Sequence, residues 1–199
     1  MNDSPTALPR AVLFDMDGTL TEPMLDFPRI KAEMGIGPGP ILESLAQLDE
    51  SRRPLAEAVL LRHEKTAAEQ SRLNDGCHDL LAWLRSRKIA MALITRNSRI
   101  SAATVTARHA LNFGALITRE DGPFKPNPFS LALACRRLGV SHEEAWMVGD
   151  GQYDVEAALA AQIRAVWISH GKPRQFSAQP WLTVASLAEL AELLQARRF

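Results

Sequence analysis

Short apolar runs that alternate with helical segments constrain the fold of this chain more than any other feature. Five such runs occur, at residues 11–14, 89–94, 115–117, 145–148 and 164–168. Strands that alternate with helices of this length form βαβ units, so the pattern predicts a buried parallel sheet with helices on both faces. The regular alternation disfavours the alternative that the runs are pieces of buried helices.

Polar groups that suit phosphoryl transfer lie at or near the ends of the predicted strands. They are Asp15-Met16-Asp17-Gly18-Thr19 after the first run, Thr95-Arg96-Asn97 after the second, Lys125-Pro126 before a helix that starts at Asn127, and Gly149-Asp150 with Asp154 after the fourth. Open parallel sheets bind ligands at the carboxyl ends of their strands, so we expect these groups to converge. A single aspartate often only caps a helix or forms a turn, but aspartates at several strand ends together indicate a site.

Asp15 and Asp17 are the pair expected to carry the reaction. A carboxylate at the end of a rigid strand can attack phosphorus and form an acyl phosphate, which splits hydrolysis into two easier steps. We assign this nucleophilic role to Asp15. Asp17 is the predicted acid that protonates the leaving oxygen and then activates water. Gly18 lets the backbone of this loop, with Met16 and Asp17, bring N–H groups close to the phosphate.

A cation is expected at the same place, because an anionic nucleophile must approach an anionic phosphate. Mg²⁺ prefers oxygen ligands and suits a carboxylate-rich site. The predicted ligands are Asp15, Asp150 and the backbone carbonyl of Asp17, and Asp154 is expected to order them. The sequence therefore predicts a Mg²⁺ cofactor.

Three further residues are expected to bind the phosphate. Lys125 would neutralise both the nucleophile and the phosphate oxygens. Thr95 lies where a strand leads into a helix, so its hydroxyl and the following N–H groups can bind a phosphate oxygen. Arg96 either reaches a substrate anion or forms a surface ion pair, and the sequence leaves both open.

Residues 23–74 interrupt the alternation of strands and helices. They contain no convincing strand, and their helical periodicity is broken by the Gly-Pro-rich run at 35–40. The longest helix is predicted at 54–72. We interpret residues 21–74 as an α-helical cap over the site and residues 1–20 and 75–199 as the catalytic core. The alternative is that these helices only pack on the flank of the sheet.

These motifs, in this order, resemble the four motifs of the haloacid dehalogenase-like superfamily, and the resemblance covers nearly the whole chain. It implies a Rossmann-like core, Mg²⁺ and the residue roles given above. The helical segment after the first motif is similar to the cap of the phosphoglycolate phosphatase-like subgroup, although it is shorter than the usual cap.

Asp17, the second acid of the first motif, narrows the range of activities that the resemblance implies. Related dehalogenases and phosphonate-cleaving enzymes lack this acid, so Asp17 disfavours both activities. The expected activity is Mg²⁺-dependent hydrolysis of a small phosphate monoester, phosphoglycolate- or sugar-phosphate-like, through an aspartyl-phosphate intermediate. Two alternatives stay open: a phosphosugar mutase, which keeps both acids, and a non-catalytic regulator that binds or accepts phosphate.

Specificity residues are harder to predict. Arg29, Lys31, Arg62 and His63 of the cap are candidate substrate contacts, although each fits a solvated helix face equally well. His170 follows the fifth predicted strand and is a further residue near the expected site. No motif in the cap identifies the substrate.

Composition excludes several classes of partner. Lys and Arg total 23, as do Asp and Glu, so the net charge of zero offers no basic surface for nucleic acid or anionic membranes. No apolar run is long enough to span a bilayer, and residues 1–10 lack a signal-peptide pattern. We expect a cytoplasmic monomer or homodimer.

The two cysteines, Cys77 and Cys135, lie in apolar helical contexts and are expected to be buried thiols.

Overall fold

The computed structural model describes residues 7–197, which form six β-strands and eight α-helices. The strands are β1 (Ala11–Phe14), β2 (Ala90–Ile94), β3 (Ala115–Ile117), β4 (Ala145–Gly149), β5 (Arg164–Ile168) and β6 (Leu182–Val184). The helices are α1 (Phe27–Met34), α2 (Ile41–Ala46), α3 (Arg53–Gln70), α4 (Cys77–Ser86), α5 (Arg99–Arg108), α6 (Phe129–Leu138), α7 (Gln152–Ala160) and α8 (Leu187–Ala196). Residues 1–6, which belong to the segment without a signal-peptide pattern, and residues 198–199 lie outside the described residues.

The predicted parallel sheet is confirmed. Its strand order is β3-β2-β1-β4-β5-β6, and every neighbouring pair is parallel. All five predicted strands are present. The sixth, β6, was not predicted, because only Val184 of its three residues is fully buried and the exposed Thr183 interrupts the apolar pattern.

Helices cover both faces of the sheet, as predicted. Val12 and Phe14 of β1 point to one face, where they join a hydrophobic cluster with α4, α5 and α8. Ala11 and Leu13 point to the other face and pack with α6 and α7. This alternation is the period of two that a strand imposes, and it explains why a strand buried on both sides is apolar throughout.

Helices α1, α2 and α3 lie between β1 and α4 in the chain. They have a hydrophobic cluster of their own, built around Ile30, Leu42 and Leu60, against which Phe124 also packs. The long helix runs from Arg53 to Gln70, close to the predicted 54–72, and α3 packs on α5. The division into a core and a cap at residues 21–74 stays a prediction.

Cys77 and Cys135 are free and buried, as predicted. Burial raises the pKa of the Cys77 thiol to about 12 and that of Cys135 to about 11, so both remain protonated at neutral pH. Among the described residues, no helix combines the length and apolar character needed to cross a bilayer.

Candidate active site

Strands β1, β2 and β4 have their carboxyl ends at the same level of the sheet. Phe14 is the register partner of both Leu93 and Val148, so the residues that follow these strands emerge at the same edge of the sheet. The chain runs outward from β1 in one direction through β2 and in the other through β4, which makes β1 the switch point where open α/β sheets bind ligands.

A cavity of about 520 Å³, here called the site cavity, opens at this edge. The residues that follow the strands contribute most of its polar lining, and α1, α2 and α3 with their connections contribute most of its apolar lining together with Lys31 and Glu64. Its lining residues include Asp15, Asp17, Leu25, Phe27, Lys31, Ile41, Leu42, Leu60, Glu64, Thr95, Arg96, Asn97, Lys125, Asp150, Tyr153 and Asp154. The sequence-predicted residues from all four strand-end groups thus meet around one space.

Lys125 lies at the centre of the polar wall. Its Nζ donates to Asp15 Oδ1 at 2.6 Å, to Asp154 Oδ1 at 2.5 Å and to the Ile94 carbonyl at 2.9 Å, and the residue is 2% exposed. Burial acts to lower the pKa of this ammonium, but Asp15 and Asp154 outweigh it and raise the pKa to about 12. Lys125 is therefore a fixed positive charge beside Asp15.

Three carboxylates offer oxygen atoms that lie within 4.8 Å of one another: Asp15, Asp150 and Asp154. Burial raises the pKa of Asp15 well above its usual value, and Asp154 and Asp150 add to that rise against the opposing effect of Lys125. Burial and then Asp154 raise the pKa of Asp150 to about 6. A compact set of hard oxygen donors with this excess of negative charge fits Mg²⁺.

Asp17 lies two residues beyond Asp15 on the same loop and faces the site cavity. Its Oδ2 accepts a hydrogen bond from Asn97 Nδ2 at 2.8 Å. Burial, and then the carboxylates of Glu64 and Asp150, together raise the pKa of Asp17 to about 7. Asp17 can therefore be protonated near neutral pH, as a general acid must be.

The loop that carries Asp15 and Asp17 is held in a tight turn. Gly18 has a φ of +83°, which favours glycine, and a Cβ at this position would overlap the Asp150 carboxylate. Asn74 Nδ2 donates to the Gly18, Thr19 and Thr21 carbonyls at 2.7–3.1 Å. The Thr19 hydroxyl donates to Asp150 Oδ1 at 3.1 Å, which connects this turn to the end of β4.

Thr95, Met16 and His170 were also predicted to lie at or near the phosphate, and their environments differ. Thr95 is buried at the cavity wall, and its Oγ1 accepts from the Asn97 N–H at 3.0 Å. The Met16 side chain packs into the hydrophobic core, which leaves only its backbone for a phosphate contact. His170 Nε2 lies 2.6 Å from the Gly18 carbonyl, so His170 is close to the loop, as expected.

Of the two partners that the sequence left open for Arg96, a substrate anion or an ion pair, the structure has the ion pair. Arg96 Nη2 contacts both carboxylate oxygens of Glu43 in α2, at 2.7 and 2.9 Å. Its Nη1 donates to the Lys125 carbonyl at 2.5 Å, and its guanidinium lies 4.9 Å from the Phe124 ring and 4.4 Å from the Tyr153 ring. With these partners, Arg96 connects α2 to the loop that carries Lys125.

The four candidate substrate contacts of the helical segment are not equivalent. Arg29, Arg62 and His63 all contact the Glu33 carboxylate, at 2.9, 2.5 and 2.9 Å. These contacts, led by that of His63, lower the pKa of Glu33 to about 2. Of the four, only Lys31 lines the site cavity.

The sequence assigned no role to three residues that the structure places at the site: Asn97, Asn74 and Glu64. Asn97 contacts Asp17, and Asn74 holds the loop. Glu64 is 2% exposed, lines the cavity, accepts from the Ser98 N–H at 3.1 Å and forms an ion pair with Arg119. Asn97 belongs to the polar group after the second predicted strand, which indicated its place at the site. Glu64 carried no such signal, because α3 reaches the site only through tertiary packing.

Comparison with known proteins gives one family. A model of the haloacid dehalogenase-like hydrolases matches residues 40–162. A haloacid dehalogenase-like hydrolase domain-containing protein of Arabidopsis thaliana is 32% identical, over 94% of this chain and 84% of that protein. A phosphoglycolate phosphatase of Chromobacterium violaceum is 28% identical over 94% of this chain and 96% of that protein. A phosphoserine phosphatase of Thermus thermophilus is 35% identical, over 77% of this chain and 62% of that protein.

Solved structures agree on the fold. A hydrolase from Pseudomonas syringae superposes with a TM-score of 0.81 at 17% identity, covering 94% of this chain and 98% of that one. A haloacid dehalogenase-superfamily phosphatase from Thermococcus onnurineus superposes with a TM-score of 0.70 at 24% identity, covering 95% and 99%. At these identities the likeness concerns the fold alone.

Proposed function

The chain belongs to the haloacid dehalogenase-like hydrolase family, and on that premise we propose that it is a Mg²⁺-dependent phosphatase. Its substrate in this proposal is a small-molecule phosphate monoester. The observation that carries the proposal is the convergence of Asp15, Asp17, Lys125 and Asp150 on one cavity at the switch point of the sheet. Curated relatives named phosphoglycolate phosphatase support the same class of reaction.

The first step is nucleophilic attack by Asp15 on phosphorus. The ester bond to the leaving oxygen breaks as the bond from Asp15 Oδ to phosphorus forms, which gives an aspartyl phosphate. Lys125 donates to Asp15 Oδ1, and it keeps that oxygen oriented while its charge offsets the negative charge of the phosphoryl group. The Gly18 N–H donates to the Thr21 carbonyl within the turn, so the N–H groups of Met16 and Asp17, with Thr95, would provide the further donors to the phosphoryl oxygens.

Asp17 supplies the proton in that step. In its protonated form it donates to the leaving oxygen, and the resulting carboxylate then removes a proton from the water that attacks the aspartyl phosphate. Asn97 fixes the orientation of the Asp17 carboxyl through its hydrogen bond to Oδ2. The second step regenerates Asp15 and releases inorganic phosphate.

Asp15, Asp150 and the Asp17 carbonyl would hold the cation, and Asp154 would orient the set. Asp154 Oδ1 accepts from Lys125 and its Oδ2 accepts from the Gly151 N–H at 3.0 Å, so its position is well defined. A bound Mg²⁺ supplies charge stabilisation for the phosphoryl oxygens. The chain has to hold three carboxylates together although they repel one another. The positive charge of Lys125 offsets part of that repulsion.

Residues 21–74 act as the cap in this proposal. Leu25, Ile41, Leu42 and Leu60 line the apolar side of the cavity, and Glu43 contacts Arg96 of the core. Covering the site in this way excludes bulk water, which strengthens the electrostatic contacts within it. We place the reaction in the cytoplasm and expect a monomer or homodimer.

The test is phosphate release from a panel of phosphorylated metabolites, with and without Mg²⁺, for the wild type and for Asp15→Asn. We expect Mg²⁺-dependent release that falls on the order of 10⁴–10⁶-fold in the variant, because the amide is a poor nucleophile. Asp79→Asn is the matched control, because Asp79 is exposed on α4. Circular dichroism checks that the variants fold.

The opposite results are also informative. Full activity of Asp15→Asn would contradict the nucleophile assignment. Conversion of a sugar phosphate to its isomer without phosphate release would identify a mutase. Phosphate binding with no turnover of any ester would identify a regulator.

A further inference from the structure

The site cavity has two chemically distinct sides. Its polar side is formed by the strand-end residues that the proposed phosphatase reaction uses, with Glu64 of α3, which is paired with Arg119. Its other side is apolar, and that side is formed by Leu25, Phe27, Ile41, Leu42 and Leu60 of the helical segment. The volume of about 520 Å³ falls in the range of roughly 300–1,000 Å³ typical of small-molecule pockets. A phosphoryl group that binds to the polar side leaves space beside the apolar side.

Most of the cationic groups at this cavity already have partners. Lys125 donates to Asp15, Asp154 and the Ile94 carbonyl, and Arg96 is held by Glu43 and the Lys125 carbonyl. Lys31 is half-buried, and within residues 7–197 its ammonium has neither an ion pair nor a side-chain hydrogen bond. It is the one cationic side chain lining this cavity, among the described residues, whose charge has no partner.

The helix α1 explains why Lys31 is left without one. Phe27 and Lys31 are four residues apart, so they lie on the same face of the helix, and both line the cavity. Glu33 is the nearest acid along α1, but Arg29, Arg62 and His63 already hold its carboxylate. An aromatic ring and an unneutralised ammonium are therefore presented side by side to the bound substrate.

We propose that the substrate's leaving group has an apolar body that packs on Phe27 and the apolar side, and a terminal anion that binds Lys31. This proposal rests on the phosphatase function and adds the substrate class to it. The anion offsets the cost of keeping an unpaired ammonium in a partly dry cavity, and the apolar body replaces water on surfaces that gain little from contact with it. A two-carbon hydroxy acid would supply the anion but not the apolar body.

Three phosphate esters separate these features. Phenyl phosphate has the apolar body alone, phosphoglycolate has a carboxylate alone, and 4-carboxyphenyl phosphate has both. We expect the wild type to show the highest kcat/KM with 4-carboxyphenyl phosphate. Turnover of phenyl phosphate tests the phosphatase function independently, because that ester contains no group for Lys31.

Lys31→Met tests the anion contact. We expect the KM for 4-carboxyphenyl phosphate to rise about tenfold, equivalent to roughly 1.4 kcal/mol, while the KM for phenyl phosphate changes less than about twofold. Lys65→Met is the matched control, because Lys65 is exposed on α3. Equal changes for both esters, or no change for either, would overturn the role of Lys31.

Phe27→Ala tests the apolar contact. Phe27 is 51% exposed, so its removal should leave the fold intact. We expect a higher KM for both aryl esters and an unchanged KM for phosphoglycolate, and Leu55→Ala, at a 74% exposed position, is the control. Wild-type preference for phosphoglycolate over both aryl esters would refute the apolar body.

A binding measurement decides the proposal even in the absence of turnover. Isothermal titration calorimetry compares 4-(phosphonomethyl)benzoic acid with benzylphosphonic acid, which are not hydrolysed. The wild type should bind the carboxylated compound about tenfold more tightly than benzylphosphonic acid. Lys31→Met should bind the two compounds equally well. Equal affinity of both compounds for the wild type would reject the anion site, whether or not the protein is a phosphatase.

Discussion

At the scale of single residues, Asp17 and Asp15 show how position sets the chemistry of identical side chains. Asp15 lies against the ammonium of Lys125, whereas Asp17 accepts from the neutral amide of Asn97. Glu64 contributes a negative charge near Asp17, and burial raises the pKa of both acids. The proposed division of roles, nucleophile and acid, follows from these different neighbours.

Asp17→Asn should reduce turnover in a way that depends on the leaving group. With phenyl phosphate, whose leaving oxygen needs a proton, we expect kcat to fall on the order of 10²–10⁴-fold. With 4-nitrophenyl phosphate, whose leaving group is stable as an anion, the loss in the bond-breaking step should be much smaller. Single-turnover measurements of phenol and nitrophenol release isolate that step.

An equal loss with both esters would argue against proton donation by Asp17. The wild type measured with the same pair of esters gives the reference ratio, and Asp79→Asn checks for a general effect of removing a carboxylate.

At the scale of elements, an ion pair joins α2 to the residues that follow β2. Glu43 and Arg96 have side chains that are 36% and 19% exposed, and the pair has the two-oxygen geometry that strengthens such contacts. Because Arg96 also donates to the Lys125 carbonyl, the position of α2 is linked to the loop that carries Lys125. The sequence offered no reason to pair residues 43 and 96.

Glu43→Gln should loosen α2 without altering the reacting groups. The pair is partly solvated, so we expect its loss to weaken the attachment of α2 by about 1 kcal/mol. We expect kcat/KM to fall roughly fivefold. Hydrogen exchange should show faster exchange of the α2 amides, and limited proteolysis should cut residues 35–52 sooner.

Glu50→Gln is the control for this experiment, since Glu50 is exposed in the same segment. Unchanged exchange in α2 of Glu43→Gln would mean that the apolar cluster around Ile30 and Leu42 holds α2 in place alone.

At the scale of the whole molecule, the carboxylate cluster exists only when the chain is folded. Asp15 follows β1 while Asp150 and Asp154 follow β4, and parallel pairing of these two strands brings their ends together. A cation that needs these oxygens will therefore bind the folded chain far better than the unfolded one, which raises the free energy of unfolding.

Mg²⁺ should accordingly raise the melting temperature of the wild type. At a free concentration of 100 times its Kd, the gain in unfolding free energy is about 2.7 kcal/mol. Asp150→Asn should lose most of this shift, because it removes a charged oxygen from the cluster. Differential scanning calorimetry over a Mg²⁺ series measures both.

A melting temperature that rises equally in the wild type and Asp150→Asn would locate the bound Mg²⁺ elsewhere. Addition of EDTA to the wild type supplies the metal-free reference.

The sequence by itself determined the fold class and the main elements of the proposed site. A strand buried on both faces has to be apolar throughout, so the sequence alone predicted runs at 11–14, 89–94 and 145–148, and the structure has these strands at 11–14, 90–94 and 145–149. Asp15, Thr95 and Asp150 follow those runs directly, and parallel strands bring their carboxyl ends to one edge. Local pattern and simple topology were sufficient for this much.

Only the tertiary structure decided which side chains touch across that edge. Asn97 contacts Asp17, Arg96 pairs with Glu43, and Glu64 of α3 lines the cavity. Among residues 7–197, the Lys31 ammonium has no ion pair. These outcomes depend on where α1, α2 and α3 settle on the core. Their placement is set by packing between residues far apart in the chain, which no short-range pattern of sequence records.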